Sequence, residues 1–169
     1  RKYGTSAAKP APAKPPFSDQ QLARLLTAAE ASRSARPPAS QLSTLNSQLP
    51  VRVLGFTGPG GAGKTTLLDE LVLRFLRNRP TARVAILSHD PSVVGRGALL
   101  GDRATMIHSQ HDRVLMRSLA TRGQAGGVSA GTQRCLRLLR HAGFELVLVE
   151  TVGIGQEAAP FTRGLADRT

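Results

Sequence analysis

Two patterns alternate along most of this chain: short continuous apolar runs, and longer stretches in which apolar residues recur every three or four positions. Val51, Val53, Leu54 and Phe56 make the first short run, which predicts a buried strand. Leu67, Leu68, Leu71, Val72, Phe75 and Leu76 then recur at helical spacing. Arg77-Asn78-Arg79-Pro80 stops that helix, because proline disfavours helical backbone in the residue before it. Residues 84–88 predict a second strand that ends at His89-Asp90-Pro91, and residues 114–119 a third, with Arg113 and Arg117 interrupting the pattern. Cys135, Leu136, Leu138 and Leu139 mark a further helix closed by Gly143 as its C-cap. Residues 144–149 form the clearest strand after the first and end at Glu150-Thr151-Val152-Gly153. Strands and helices in alternation imply an α/β fold, with a mostly parallel sheet covered by helices.

The first part of the chain reads differently. Residues 1–17 are rich in Ala, Pro and Lys and predict an extended linker. Residues 18–49 form a helical linker segment. Ser18-Asp19-Gln20-Gln21 resembles a capping box, and Leu22, Leu25, Leu26 and Ala29 are the apolar stripe behind it. That helix ends at Arg36-Pro37-Pro38 and has two candidate docking places, the main domain or one outside this chain. A second short helix is expected over residues 41–50, with Leu42, Leu45 and Leu49 on one face. Residues 50–169 are then the main domain.

Composition narrows the classes. The 169 residues suit one domain, and no apolar run approaches the roughly 20 residues of a membrane span. There is no apolar signal core, and the single cysteine allows no internal disulfide, so a cytoplasmic setting is expected. A net charge of +12 suggests an acidic partner. The arginines are scattered, however, and one Tyr with no Trp leaves few stacking platforms, which argues against nucleic acid. The chain begins at Arg1 rather than Met, so a piece of something longer is expected.

Between the first strand and its helix lie Gly58, Pro59, Gly60, Gly61, Ala62, Gly63, Lys64 and Thr65, followed by Thr66. They fit the phosphate-binding pattern Gly-x-x-x-x-Gly-Lys-[Ser/Thr], and the strand before and helix after supply its required context. Glycines let successive backbone amides turn inward as an anion-binding nest, and the helix start adds partial positive charge. Lys64 is expected to reach the β- and γ-phosphates and the Thr65 hydroxyl to ligate Mg²⁺. In a parallel sheet, ligands bind beyond the carboxyl ends of the strands. Asp90 and Glu150 follow two of those ends, where a Mg²⁺–triphosphate needs carboxylate oxygen. The Gly153 amide is placed to sense a γ-phosphate, and Asp102 lies in a glycine-rich loop of switch character. His108 and His111 read as exposed loop histidines, and Cys135 as a small buried apolar side chain.

Taken in order, these motifs resemble one family. The phosphate loop is followed by Asp90-Pro91-Ser92 and by Gly97-Ala98-Leu99-Leu100-Gly101-Asp102-Arg103. After these come Met116-Arg117-Ser118-Leu119-Ala120-Thr121-Arg122 and Glu150-Thr151-Val152-Gly153-Ile154-Gly155-Gln156. Such a series is similar to the methylmalonyl-CoA mutase-associated GTPases, and closer still to the version built into fused isobutyryl-CoA mutases. The resemblance implies a P-loop NTPase fold, GTP and GDP as ligands with Mg²⁺, and a chaperone role toward an adenosylcobalamin-dependent acyl-CoA mutase, fused or separate. Adenosylcobalamin would enter only through that partner, and an oligomer is left open. The resemblance makes Lys64, Glu150 and Asp102 catalytic, and Thr65, Asp90, Asp102 and Glu150 the Mg²⁺ set. Glu150 would end the Walker B strand. After Asp90 this chain reads Val93-Val94-Gly95-Arg96-Gly97 where the family carries an Arg-Thr-Gly-Gly-like stretch. The family's Asn-Lys-x-Asp motif falls beyond Thr169, so guanine rests on the resemblance, and the domain is expected to be C-terminally incomplete. Three rival readings are a metallocentre-maturation GTPase, a P-loop small-molecule kinase, and a non-catalytic remnant whose open sheet edge would invite aggregation.

Overall fold

A computed structural model describes residues 17–31, 51–91, 105–124, 126–153 and 164–168. Its centre is a parallel sheet of four strands: β1 (Arg52–Phe56), β2 (Val84–Asp90), β3 (Val114–Ala120) and β4 (Leu146–Glu150). Their order across the sheet is β1-β4-β2-β3. Among the described residues three helices accompany it: α1 (Asp19–Ala31), α2 (Lys64–Asn78) and α3 (Thr132–His141). β2 runs past the expected end at Ser88, because His89 and Asp90 stay in register with Leu119 and Ala120 of β3. Backbone pairing carries the strand on where the apolar run has stopped. The helix expected over residues 41–50 lies outside the described residues, as does the linker at residues 1–16.

The strand pleat sorts side chains onto two faces. Val53, Ala85, Leu87, Leu119, Val147 and Val149 pack with residues of α1 and α3. Val84, Ile86, Met116, Leu146 and Leu148 pack with Leu68, Val72 and Leu76 of α2. Leu67 was expected on that apolar stripe, yet it is 58% exposed. It sits one position before Leu68, about 100° round the helix, and so turns away from the sheet.

Helix α1 docks on this sheet. Its capping box forms as expected: the Gln21 amide donates to Ser18 Oγ at 3.2 Å, and the Ser18 amide donates to Gln21 Oε1 at 3.0 Å. Leu22, Leu26 and Ala29 are buried in the α3 side of the core. Its last turn is held by Arg134 of α3, whose Nε donates to the Ala29 carbonyl at 2.6 Å. Arg117, expected to interrupt β3, instead reaches Glu30 of α1 at 2.8 Å. The approach is close, since a Cβ on Gly131 would lie 2.9 Å from the Glu30 Cα.

The outer edge of β1 is met by residues 167–168. The Gly55 amide donates to the Arg168 carbonyl at 2.8 Å, and the Asp167 amide donates to the Val53 carbonyl at 2.8 Å. The Val53 amide in turn donates to Asp167 Oδ2 at 2.7 Å.

Two leucines test this packing. Leu26 is 0% exposed, so Leu26→Ala should destabilise by about 2–5 kcal/mol. Leu67→Ala should change stability by no more than about 0.5 kcal/mol. Urea unfolding of both variants, followed by circular dichroism, checks the contrast.

Candidate nucleotide-binding site

The glycine-rich loop leaves the carboxyl end of β1 and turns into α2 at Lys64. Gly61 and Gly63 have φ near +76° and +78°, left-handed backbone that strains any residue with a side chain. Gly60 lies close against the chain leaving β4, where a Cβ would come within 3.3 Å of the Gly153 carbonyl oxygen. Pro59, Gly60, Gly61, Ala62, Gly63 and Thr66 are exposed, so the loop is open to a ligand from solvent. Lys64 folds back over it, with Nζ donating to the carbonyls of Gly58 at 2.9 Å and Pro59 at 3.0 Å.

Thr65, in the first turn of α2, donates its hydroxyl to Glu150 Oε1 at 2.7 Å. Ser88, paired with Glu150 across the β2–β4 ladder, donates to Oε2 at 3.3 Å. The carboxylate is buried, and a buried charge is tolerated only where hydrogen bonds replace water. Sequence reasoning missed Ser88, since nothing in the chain reveals which residue faces Glu150 until the register is known. Asp90 ends β2 on the same face as Ser88, but β4 separates that strand from β1. Asp90 is therefore one strand further from the loop than Glu150. Asp102 lies outside the described residues.

The chain leaving β4 is pinned residue by residue. The Thr151 amide donates to the Phe56 carbonyl at 3.0 Å, and the Val152 amide to the Gly127 carbonyl at 3.1 Å. The Gly153 carbonyl accepts from the Gly60 amide at 2.9 Å. A Cβ on Gly153 would fall 2.6 Å from the Gly60 nitrogen and 2.9 Å from Lys64 Nζ, so only glycine fits against the loop.

His89, also missed, holds the same chain from the other side. Its Nδ1 lies 2.7 Å from the Glu150 carbonyl oxygen, and its Nε2 lies 2.7 Å from Thr132 Oγ1. Burial pushes its pKa from 6.5 down to about 4, against smaller upward contributions from the Glu150 carbonyl and from Glu30. A carbonyl only accepts, so the neutral ring donates from Nδ1, while Thr132 Oγ1 lies 2.7 Å from both Nε2 and the Ser129 carbonyl and has one proton to share between them.

The other histidines divide. His111 is exposed as expected. His108 is instead half-buried, with Nδ1 2.9 Å from Asp69 Oδ2 and its amide donating to Oδ1 at 2.9 Å. These bonds tie the short 3-10 turn Ile107–Gln110 to α2. Among the described residues no group of His, Cys, Asp and Glu is arranged to hold a metal by itself. A Mg²⁺ ion does not require one, because it keeps waters and takes oxygens from phosphate. The hard oxygen donors of Thr65 and Glu150 fit that ion. Cys135 is fully buried, and burial first, then Glu30, pushes its thiol up to about 11, which leaves it inert.

A glycine loop between a parallel strand and a helix start, a lysine over it, and a hydroxyl–carboxylate pair beneath it define a P-loop nucleotide-binding protein of the α/β class. The chain belongs to the family described as "Methylmalonyl Co-A mutase-associated GTPase MeaB", whose model matches residues 22–163. It is 44% identical over 153 residues to a fused isobutyryl-CoA mutase of Geobacillus kaustophilus, covering 85% of this chain and 14% of that protein. It is 43% identical over 137 residues to a fused isobutyryl-CoA mutase of Cupriavidus metallidurans, covering 80% of this chain and 12% of the relative. A protein of Mycobacterium bovis named as a probable GTPase is 38% identical over 105 residues, covering 61% and 31%. The chain thus spans about a seventh of the length of the first of these relatives.

The depressed histidine sets a pH dependence. Above the unfolded value near 6.5, His89 is neutral in both states and its contribution to stability is complete. As pH falls from 6.5 toward 4, the unfolded chain gains a proton that the folded chain refuses, and stability declines. The loss should reach about 3 kcal/mol near pH 4. Urea titrations at several pH values should show a flatter profile for His89→Gln than for the unsubstituted protein.

Proposed function

We propose that this chain is the nucleotide-binding part of a GTPase that binds Mg·GTP, hydrolyses it by water attack on the γ-phosphate, and gates an adenosylcobalamin-dependent acyl-CoA mutase. The observation that carries this reading is the Thr65 hydroxyl bonded to the buried Glu150 carboxylate directly below the glycine loop. Family membership supports guanine as the base, and the names of the fused relatives support a mutase as partner, fused or separate. The gating is read as control of cofactor loading and protection, with adenosylcobalamin bound only by the partner. A cytoplasmic setting suits that role; among the described residues no helix is long and apolar enough to cross a membrane.

Each residue then has a task. The backbone of residues 58–66 cradles the phosphates, every residue but Pro59 offering an amide N–H, aided by the α2 N-terminus. Lys64 leaves the Gly58 and Pro59 carbonyls for the β- and γ-phosphate oxygens. Mg²⁺, held by Thr65 with Glu150, Asp90 and Asp102 directly or through water, would neutralise charge on the phosphate oxygens. Glu150 orients the Thr65 hydroxyl, and with Asp102 it sets the attacking water. The Gly153 amide meets the γ-phosphate, and the Gly60–Gly153 hydrogen bond is the contact that this ligand exchanges. Residues 50–169 act as the domain, and α1 of the preceding segment packs into its core.

Binding of fluorescent GDP and GTP analogues, with phosphate release, tests the reading. Lys64→Ala should weaken nucleotide binding about 10- to 100-fold, the worth of a hydrogen bond to a charged group, and slow turnover further. Unchanged affinity and turnover would overturn the assignment. Phosphate appearing on an added small molecule would instead favour a kinase, and preference for ATP would remove guanine. Gly153→Ala should cut discrimination of GTP over GDP by about tenfold while leaving GDP binding nearly intact, since the added methyl forces the Gly153 amide away from the loop.

A further inference from the structure

We infer that His89 is a positioning residue of this site, holding the main chain of Glu150 from the opposite face of the sheet so that its carboxylate stays under the Thr65 hydroxyl. The inference rests on the nucleotide reading above. Strand alternation puts Ser88 and Asp90 on the α2 face of β2 and His89 on the α3 face. Glu150 is consequently gripped from both sides. Its carboxylate oxygens accept from Thr65 and Ser88 on one face, and its carbonyl accepts from His89 on the other. The β2–β4 ladder ends at the pair Ser88–Glu150, so the ring bonds Glu150 one residue past the last register pair.

The far side of the ring meets the start of α3. Thr132 opens α3, and its hydroxyl lies 2.7 Å from both His89 Nε2 and the Ser129 carbonyl. The segment of residues 126–132 thus meets the β4 exit twice: through Gly127, which accepts from Val152, and through Thr132, which reaches Glu150 by way of His89. With Thr151 on Phe56 and Gly153 on Gly60, every residue from Glu150 to Gly153 has a main-chain hydrogen bond to another element. His89 supplies the first of the four and is the one side chain among them. It touches no phosphate position itself and acts through Glu150.

Three substitutions separate the two ring nitrogens in the full-length protein. His89→Asn keeps a donor near Nδ1 for the Glu150 carbonyl and gives up Thr132. His89→Gln keeps the reach to Thr132 and gives up Glu150. His89→Leu gives up both while filling the space. Amide hydrogen exchange in the nucleotide-free protein should speed up about tenfold over residues 150–153 in the Gln and Leu variants, the worth of one buried hydrogen bond, and recover in the Asn variant. GTP turnover should follow the same order, with kcat down about tenfold in Gln and Leu and KM within about threefold. Equal exchange in all three variants would overturn the inference and leave His89 as core packing. Protection by Gln but not Asn would also overturn it, making Thr132 the partner that matters. If the exchange order holds but the unsubstituted protein binds no GTP, the nucleotide reading fails and the brace on Glu150 stands. If the protein hydrolyses GTP and His89→Gln exchanges and turns over like the unsubstituted protein, the inference alone fails.

Discussion

A buried carboxylate is the constraint on which the rest of this structure turns. Glu150 is only 4% exposed at the end of β4, and such a charge is costly away from water unless its oxygens are satisfied. One oxygen is met from the first turn of α2 by Thr65, the other from β2 by Ser88. The carboxylate therefore fixes where α2 begins relative to two strands. That also fixes the glycine loop, whose ends are β1 and α2. Continuing past Glu150, the chain is held against the loop down to the Gly60–Gly153 hydrogen bond. Fold and site share their interactions here, so a shift in the first turn of α2 takes from a buried carboxylate the hydrogen bond that Thr65 supplies.

The second organising feature is the use of arginine inside the domain. Arg113 donates to the carbonyls of Leu76, Arg79 and Ala82, satisfying backbone oxygens at and beyond the end of α2. Arg134 does the same for α1. Arg83 lies over the Phe144 ring at 4.6 Å and bonds Asp19, and Arg117 bonds Glu30. Side chains that look like a basic surface in a composition count thus serve as caps and ties for helices. Guanidinium suits the task because its planar fork offers several donors at once. Part of the +12 net charge has this structural use, which weakens the inference from charge to a nucleic-acid partner.

These ties also make α1 part of the same core. Its apolar stripe needed a surface, and the α3 side of the sheet supplies one. The junction lies next to Gly131 and the start of α3, and it is linked through Thr132 and His89 to Glu150. A helix before the glycine loop in sequence is thereby mechanically close to the carboxylate under it.

How much was legible beforehand follows from the range of the interactions. Short apolar runs specified β1, β2 and β4, and helical spacing specified α1, α2 and α3, because both patterns are local. The glycine loop was legible for the same reason: its left-handed glycines, Gly61 and Gly63, and its lysine lie within one short stretch of the chain. Glu150 could be named from its place after a strand. Leu67 could not be excluded from the buried stripe, since periodicity gives a face but not its width. Ser88, His89 and Thr132 carried no local signal. Their roles depend on the parallel register that sets Ser88 beside Glu150 and on the packing of α3 that brings Thr132 within 2.7 Å of the His89 ring. Sequence alone determined the main elements and the glycine loop with its lysine, which depend on neighbours in the chain. Tertiary structure decided which polar groups are buried together, because strand order and helix docking join residues far apart in sequence.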